Sequence, residues 1–155
     1  MSGYFAIGAY NPKTEANIGT LWRSAHLYGA SMIATVGPRR YVHQASDTPK
    51  TPNSTPLMAY SDIDDLIAHL PHGCELVGVE LDPRAKPLNE FSHPRQAFYL
   101  LGAEDRGIPL SVLDKCHRVV QIPTPKPQSM NVAAAGTVLL ADRYMKELAK
   151  KPTFV

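Results

Sequence analysis

The stretch QIPTPKPQSMNVAAAGTVLLADRY, residues 121–144, decides how the C-terminal part of the chain folds. Its first seven residues hold three prolines: Pro123, Pro125 and Pro127. Each proline fixes φ and biases the residue before it toward extended backbone. Ser129 and Asn131 can cap the helix that the small apolar residues after them predict. A stiff loop directly before a helix that looks wholly buried suits a backbone that must keep one shape around a ligand.

Upstream of this stretch, short apolar segments alternate with segments of helical periodicity. Strand candidates are YFAIGAY (4–10), SMIATVG (31–37), CELVGVEL (74–81), QAFYLLG (96–102) and RVVQI (118–122). Helix candidates are EANIGTLWRSAHLYG (15–29), SDIDDLIAHL (61–70, with Ser61 as N-cap), IPLSVLDKC (108–116) and the final helix, 131–150. This alternation predicts an α/β fold with a mainly parallel sheet flanked by helices. We expect a single domain over residues 1–155.

Composition narrows the class of protein. Of 155 residues, 44% are hydrophobic and 19% are charged, which is typical of a globular chain. The net charge of +2 is compatible with an anionic partner, but an RNA surface would have to come from a local patch. Cys74 and Cys116 lie in no metal-like spacing, so we expect two free thiols in a reducing cytoplasm. We expect no signal peptide and no membrane span.

Other enzyme classes lack their signatures. The six histidines show no paired ligand spacing on one helix, so we expect no metal site and reject a metal hydrolase. Another kind of nucleotide-binding enzyme would need a Gly-rich phosphate loop after an early strand, and the segment YNPKTEANIG holds a single glycine.

The predicted sheet indicates which loops could bind a ligand. In open parallel sheets ligands bind beyond the carboxyl ends of the strands, here after Leu81, Leu101 and Ile122. The loop GAEDRGIP holds two glycines that permit close backbone approach, with Glu104 between them. It is either a solvated turn or a ligand loop with a carboxylate in a cleft. Asn17 near the start of the first helix, and Arg23 inside it, form a third polar element.

These segments together resemble the motifs of the SPOUT superfamily of RNA methyltransferases, in its TrmH-like 2′-O-ribose group. NIGTLWRSAHLYG is similar to the first motif, LLGAEDRGIP to the second and IPTPKPQSMNVAAA to the third. The order and spacing cover almost the whole chain, and the short length is most similar to TrmL-type tRNA wobble-nucleotide enzymes. The resemblance implies a C-terminal deep trefoil knot, an S-adenosylmethionine site and a homodimer with the site near the subunit interface.

The resemblance also implies roles for individual residues. The catalytic set is Arg23, Asn17, Glu104, Ser129 and Asn131. The cofactor set is Val79, Glu80, Gly102, Ile122, Ser129 and Met130, mostly through backbone groups. RNA contacts are expected from Arg39, Arg40 and Lys50, with Lys126 as a further candidate, although these cations also suit ordinary surface charge. A guanidinium is nearly always protonated, so Arg23 either holds the target phosphate and lowers the hydroxyl pKa, or accepts a proton transiently.

The resulting functional hypothesis is an S-adenosylmethionine-dependent RNA 2′-O-ribose methyltransferase acting on a tRNA anticodon-loop nucleotide. Two alternatives stay open at this point: a ribosomal RNA 2′-O-methyltransferase, and a non-catalytic RNA-binding module with the same fold.

Overall fold

The computed structural model of the chain describes residues 3–39, 41, 54–126 and 128–152. The strands are β1 (Phe5–Tyr10), β2 (Ile33–Val36), β3 (Leu57–Tyr60), β4 (Glu75–Val79), β5 (Lys86–Pro87), β6 (Ala97–Leu101) and β7 (Arg118–Gln121). The α-helices are α1 (Glu15–Leu27), α2 (Ile63–His69), α3 (Leu110–Leu113) and α4 (Val132–Lys150), and Leu88–Glu90 forms a 3₁₀ turn. Within this described part, the strands form one sheet in the order β3-β2-β1-β6-β4-β7-β5, and every pairing is parallel.

The predicted parallel sheet with flanking helices is confirmed, and its central strands explain why. Residues of β1 and β6 alternate between two apolar layers, because successive side chains of a strand point to opposite faces. Ile7 and Tyr99, which are register partners, pack on the side of α1 and α4. Ala6 and Phe98 pack on the other side, with α2 and α3.

Helix α1 has a buried apolar stripe. Ile18, Leu21, Trp22 and Ala25 are each at most 4% exposed. Helix α1 packs against α4 at Gly136, where an added Cβ would lie 2.3 Å from Cδ1 of Leu21. The small residues of the quoted stretch therefore allow the two helices to approach closely.

Two strands were not predicted and two expectations were wrong. The unpredicted strands are β3 and β5, which lie at the two edges of the sheet, and β5 is only two residues long. The N-cap of α2 is Asp62 rather than Ser61, with its Oδ1 accepting from the backbone N of Asp65 at 2.8 Å. Helix α4 is not wholly buried. Its exposed large apolar residues are Val138, Tyr144, Met145 and Leu148. No helix in the described ranges is long and apolar enough to cross a membrane.

Candidate active site

A cavity of about 400 Å³ lies at the carboxyl ends of β4, β6 and β7. It is formed by the loops that follow these strands, where the sequence places the ligand loops. Its volume is in the range of small-molecule sites. All six residues predicted to hold the cofactor line it: Val79, Glu80, Gly102, Ile122, Ser129 and Met130. Pro127, also part of the predicted stiff loop, lies outside the described residues.

A tight glycine turn forms one wall of the cavity. Ala103 and Gly107 pair as an isolated antiparallel bridge, which holds residues 104–106 at the tip of the loop. Gly107 has φ +63°, a left-handed conformation that glycine adopts at little cost. A Cβ on Gly102 would lie 2.5 Å from the carbonyl carbon of Gly107. Both glycines are therefore required by the local geometry.

The carboxylate of Glu80 fastens this glycine turn to β4. Its Oε2 accepts from the backbone N of Ile108 at 2.8 Å, and its Oε1 accepts from the backbone N of Leu81 at 2.9 Å. A Cβ on Gly107 would lie 2.3 Å from Glu80 Oε2. Glu80 thus lines the cavity, and both oxygens of its carboxylate already accept hydrogen bonds from the two loops beside it.

Glu104 lies at the N-terminus of α1, a favourable position for a negative charge. Its Oε1 accepts from Asn17 Nδ2 at 2.8 Å and from Thr14 Oγ1 at 3.3 Å, and its Oε2 accepts from the backbone N of Lys13 at 3.2 Å. Burial would raise the pKa of this carboxyl, but the hydrogen bonds from Asn17, Lys13 and Thr14 outweigh burial and hold its pKa below the ordinary value. The group is therefore an anion near neutral pH.

Asn131 extends this arrangement to the start of α4. Its Nδ2 donates to Asn17 Oδ1 at 3.1 Å, while its Oδ1 accepts from the backbone N of Ala133 and Ala134 at 3.0 and 3.1 Å. The side-chain cap of α4 is Asn131, and Ser129 lies exposed in the cavity wall. The structure thus joins three predicted residues, Asn131, Asn17 and Glu104, in one hydrogen-bonded chain beside the cavity.

Arg23 is in a different place. It is exposed on α1, and it is not among the described residues that line the cavity. It lies six positions after Asn17 in the helix, about 9 Å along the axis. Its exposed neighbours on the same face are Thr20 and Leu27. Within the described residues, the predicted catalytic arginine is therefore not part of the cavity wall of its own chain.

The predicted RNA contacts are only partly described. Arg39 is exposed; its Nη1 donates to the carbonyl of Lys13 at 2.6 Å and its guanidinium lies 5.2 Å from the centroid of the Tyr41 ring. A guanidinium has five N–H donors, so others remain for a phosphate. Lys126 is exposed in the loop after β7. Arg40 and Lys50 lie outside the described residues.

Sequence reasoning missed the residues that connect the loops. Lys13 forms an ion pair with Asp105, and its hydrogen bond holds the pKa of Asp105 below the ordinary value. These two residues are 92 positions apart, so no local pattern could join them. Leu81, Leu110 and Met130 line the cavity yet are 46%, 64% and 37% exposed. Large apolar side chains exposed beside a cavity are a signal of ligand binding.

Comparison with known proteins places this site in context. The model of the SpoU rRNA Methylase family matches residues 4–141. Mouse tRNA (guanosine(18)-2′-O)-methyltransferase TARBP1 is 23% identical over 138 residues, which is 85% of this chain. The chain spans 9% of the length of that curated relative.

Two solved structures share the fold. One, from a study of the 2-OH methylation of C/U34 on tRNA, has a TM-score of 0.81 at 21% identity. The match covers 96% of this chain and 99% of that chain. The SpoU methyltransferase AviRb from Streptomyces viridochromogenes, in complex with AdoMet, has a TM-score of 0.82 at 21% identity, covering 97% of this chain and 60% of that chain.

Proposed function

Because the chain belongs to the SpoU rRNA Methylase family, we propose that it is an S-adenosylmethionine-dependent RNA 2′-O-ribose methyltransferase. The observation that carries the proposal is the cavity at the carboxyl ends of β4, β6 and β7, next to the hydrogen-bonded chain Asn131–Asn17–Glu104. A single domain over residues 1–155, with the C-terminal trefoil knot implied by the motifs, is part of this proposal.

The residues of the cavity fit the cofactor. Leu81, Leu110 and Met130 offer apolar surface for a nucleobase, while backbone groups of the loop after β7 can recognise its polar edge. The donors to Glu104 are a side-chain amide, a hydroxyl and a backbone N–H, all neutral, so this carboxylate favours a cationic ligand. When bound, S-adenosylmethionine supplies a methyl group already activated on a sulfonium.

Arg23 acts, in this proposal, on the cavity of a second copy of the chain. It is exposed on α1 and does not line the cavity of its own chain in the described residues, so a second subunit would bring it to a reaction centre. There its guanidinium would hold a phosphate of the RNA and lower the pKa of the ribose hydroxyl by charge. Asn17, Glu104 and Asn131 would hold the walls of the site in place.

The surface for this second copy is an apolar stripe on α4. It consists of Ala134, Val138, Ala141, Met145 and Leu148, spaced by four, three, four and three residues. Leu27 on the neighbouring α1 is 73% exposed. An apolar repeat of this spacing on the outside of a helix is typical of helix–helix association. A homodimer would cover the stripe.

A tRNA, methylated at an anticodon-loop nucleotide, is the substrate that we propose. The mouse relative is named for guanosine 18 of tRNA, which supports a tRNA substrate, and one structure of the same fold concerns C/U34 of tRNA, which supports the anticodon loop. A cytoplasmic location is part of the proposal, and the free thiols of Cys74 and Cys116 suit a reducing compartment.

The proposal is tested by labelled methyl transfer from S-adenosylmethionine to total RNA of cells lacking the protein, followed by digestion to nucleosides. We expect a 2′-O-methylated nucleoside in the tRNA fraction. Arg23→Ala should abolish transfer and leave cofactor affinity near that of the wild type. Arg118→Ala, which removes an exposed arginine paired with Glu75, is the matched control and should keep activity. Retained turnover in Arg23→Ala would remove the catalytic role of this arginine.

Sharing of the site between subunits is tested by complementation. Arg23→Ala and Gly102→Val, whose added side chain would collide with the backbone of Gly107, should each be inactive alone. If Arg23 serves the partner's cavity, mixed dimers have one complete site and a 1:1 mixture should regain about a quarter of wild-type activity. If Arg23 serves its own cavity, the mixture stays inactive.

The RNA surface is tested by charge reversal at Arg39 and Arg40. RNA affinity should fall. The slope of log K against log salt concentration should become shallower by about one to two, because up to two phosphate contacts are lost. Unchanged affinity and slope would discard this surface.

A further inference from the structure

A short segment, residues 11–14, lies between the cavity and the loop that carries Arg39. This segment, which we call the β1–α1 connector, follows β1 directly and ends at the N-cap of α1. Asn11 adopts φ +44°, an uncommon conformation for a residue other than glycine, and its backbone N donates to Val36 O at 2.7 Å. The connector is thus fixed against the end of β2.

On its cavity side, the β1–α1 connector is bound to the tip of the glycine turn. Three groups of the connector make these bonds: the backbone N of Lys13 to Glu104, Thr14 Oγ1 to Glu104, and Lys13 Nζ to Asp105. Glu104 and Asp105 both line the cavity. Any ordering of this turn by a ligand would therefore act directly on Lys13 and Thr14.

On its other side, the same connector holds the start of the loop after β2. The carbonyl of Lys13 accepts from Arg39 Nη1 at 2.6 Å, and the carbonyl of Pro12 accepts from the hydroxyl of Tyr41. The guanidinium of Arg39 lies over the ring of Tyr41, which adds a cation–π contact. Arg39 is therefore presented to solvent by groups that are themselves attached to the cavity wall.

We infer that Lys13 and Thr14 are positioning residues that couple occupancy of the cofactor cavity to the presentation of Arg39 for RNA. The inference rests on the proposed function and goes beyond it. A bound cofactor orders the glycine turn, the turn holds the connector, and the connector holds Arg39. Since coupling between two sites is reciprocal, RNA bound at Arg39 raises cofactor affinity by the same factor.

The first experiment needs no RNA. Hydrogen exchange of the backbone amides of Gly37, Arg39 and Tyr41 is measured with and without sinefungin, a cofactor analogue, and sinefungin affinity is measured by calorimetry. In the wild type we expect the ligand to slow this exchange about fivefold or more, in the usual range of coupling. In Lys13→Ala/Thr14→Val the slowing should shrink below about twofold. Lys13→Arg should restore it, because an arginine can still pair with Asp105.

Lys115→Ala is the matched control, because it also removes an exposed lysine paired with an aspartate, Asp64. It should behave as the wild type.

The second experiment measures sinefungin affinity with and without unfractionated tRNA. The wild type should bind more tightly by about fivefold or more with tRNA, and the double variant by less than about twofold.

The outcomes separate the inference from the proposed function. If sinefungin binds the wild type but leaves exchange at Gly37, Arg39 and Tyr41 unchanged, the coupling is overturned while methyl transfer stands. If the double variant couples as well as the wild type, Lys13 and Thr14 are not the link. If sinefungin does not bind the wild type at all, the cofactor site itself fails, and the inference fails with it.

Discussion

Gly107→Ala is the change whose consequence can be worked out most fully. The residue has φ +63°, where an L side chain costs about 1–2 kcal/mol. The new Cβ would lie 2.3 Å from Glu80 Oε2, so the carboxylate must move away. Its hydrogen bond to the backbone N of Ile108 is then lost, which leaves a buried donor unpaired at a cost of about 1–3 kcal/mol. The free energy of unfolding should fall by about 2–5 kcal/mol in total.

Gly29→Ala is the matched control for this prediction. Gly29 also has positive φ, +79°, but an added Cβ there meets no atom within 4 Å. It should cost only the backbone strain, about 1–2 kcal/mol. The free energies of unfolding of both variants are measured by urea unfolding. Calorimetry with sinefungin should show at least about tenfold weaker binding for Gly107→Ala, equivalent to about 1.4 kcal/mol, and unchanged binding for Gly29→Ala.

The role of Glu80 can be isolated in the same series. In a Glu80→Ala background the collision is gone, so adding Gly107→Ala should cost only the strain, and the two changes should be non-additive. Equal unfolding costs for Gly107→Ala and Gly29→Ala, with unchanged sinefungin affinity in both, would refute the view that the Glu80 carboxylate holds this wall of the cavity.

Three further predictions concern other parts of the molecule. The pKa of Glu104 lies below its ordinary value of 4.5, so its stabilising contribution is complete above that pH and is lost as pH falls through the lowered pKa. Glu104→Gln should therefore be less stable than the wild type in urea at pH 7, and the difference should shrink as pH falls below 4.5; a constant difference would contradict this. Burial raises the pKa of Cys74 and Cys116 to about 11, so both should react slowly with a disulfide reagent at pH 8 until urea unfolds the chain, and fast reaction of the native protein would contradict it. Met145→Glu should convert a dimer to a monomer in light scattering while Met58→Glu, an exposed methionine on β3, should not, and an unchanged dimer would discard the α4 surface.

The site was predictable where its residues follow strands of the sheet. Val79, Gly102 and Ile122 come at or just after the ends of β4, β6 and β7, and the sequence places them together because parallel strands end at the same edge. Edge strands β3 and β5 escaped prediction, since a short strand that is partly exposed carries little apolar pattern.

The position of Arg23 shows a second limit of prediction from the sequence. The motif names the residue, and helical periodicity places it on α1 beside the buried Trp22. Neither says which cavity it serves, because that depends on what covers the exposed face of the helix. The exposed stripe of α4 raises the same question. Local patterns describe one chain, whereas this part of the proposed site is a property of two.

By itself, the sequence determined the alternation of strands and helices, the stiffness of the loop after β7 and the three loops where a ligand would bind, because these depend on near neighbours. The tertiary structure alone decided that Asn17 would meet Glu104, 87 residues away, and that Lys13 would join Asp105 to Arg39. Such contacts depend on β1 lying beside both β2 and β6, which brings the loops at their carboxyl ends together. That neighbourhood is fixed by the packing of the whole sheet, and no local pattern contains it.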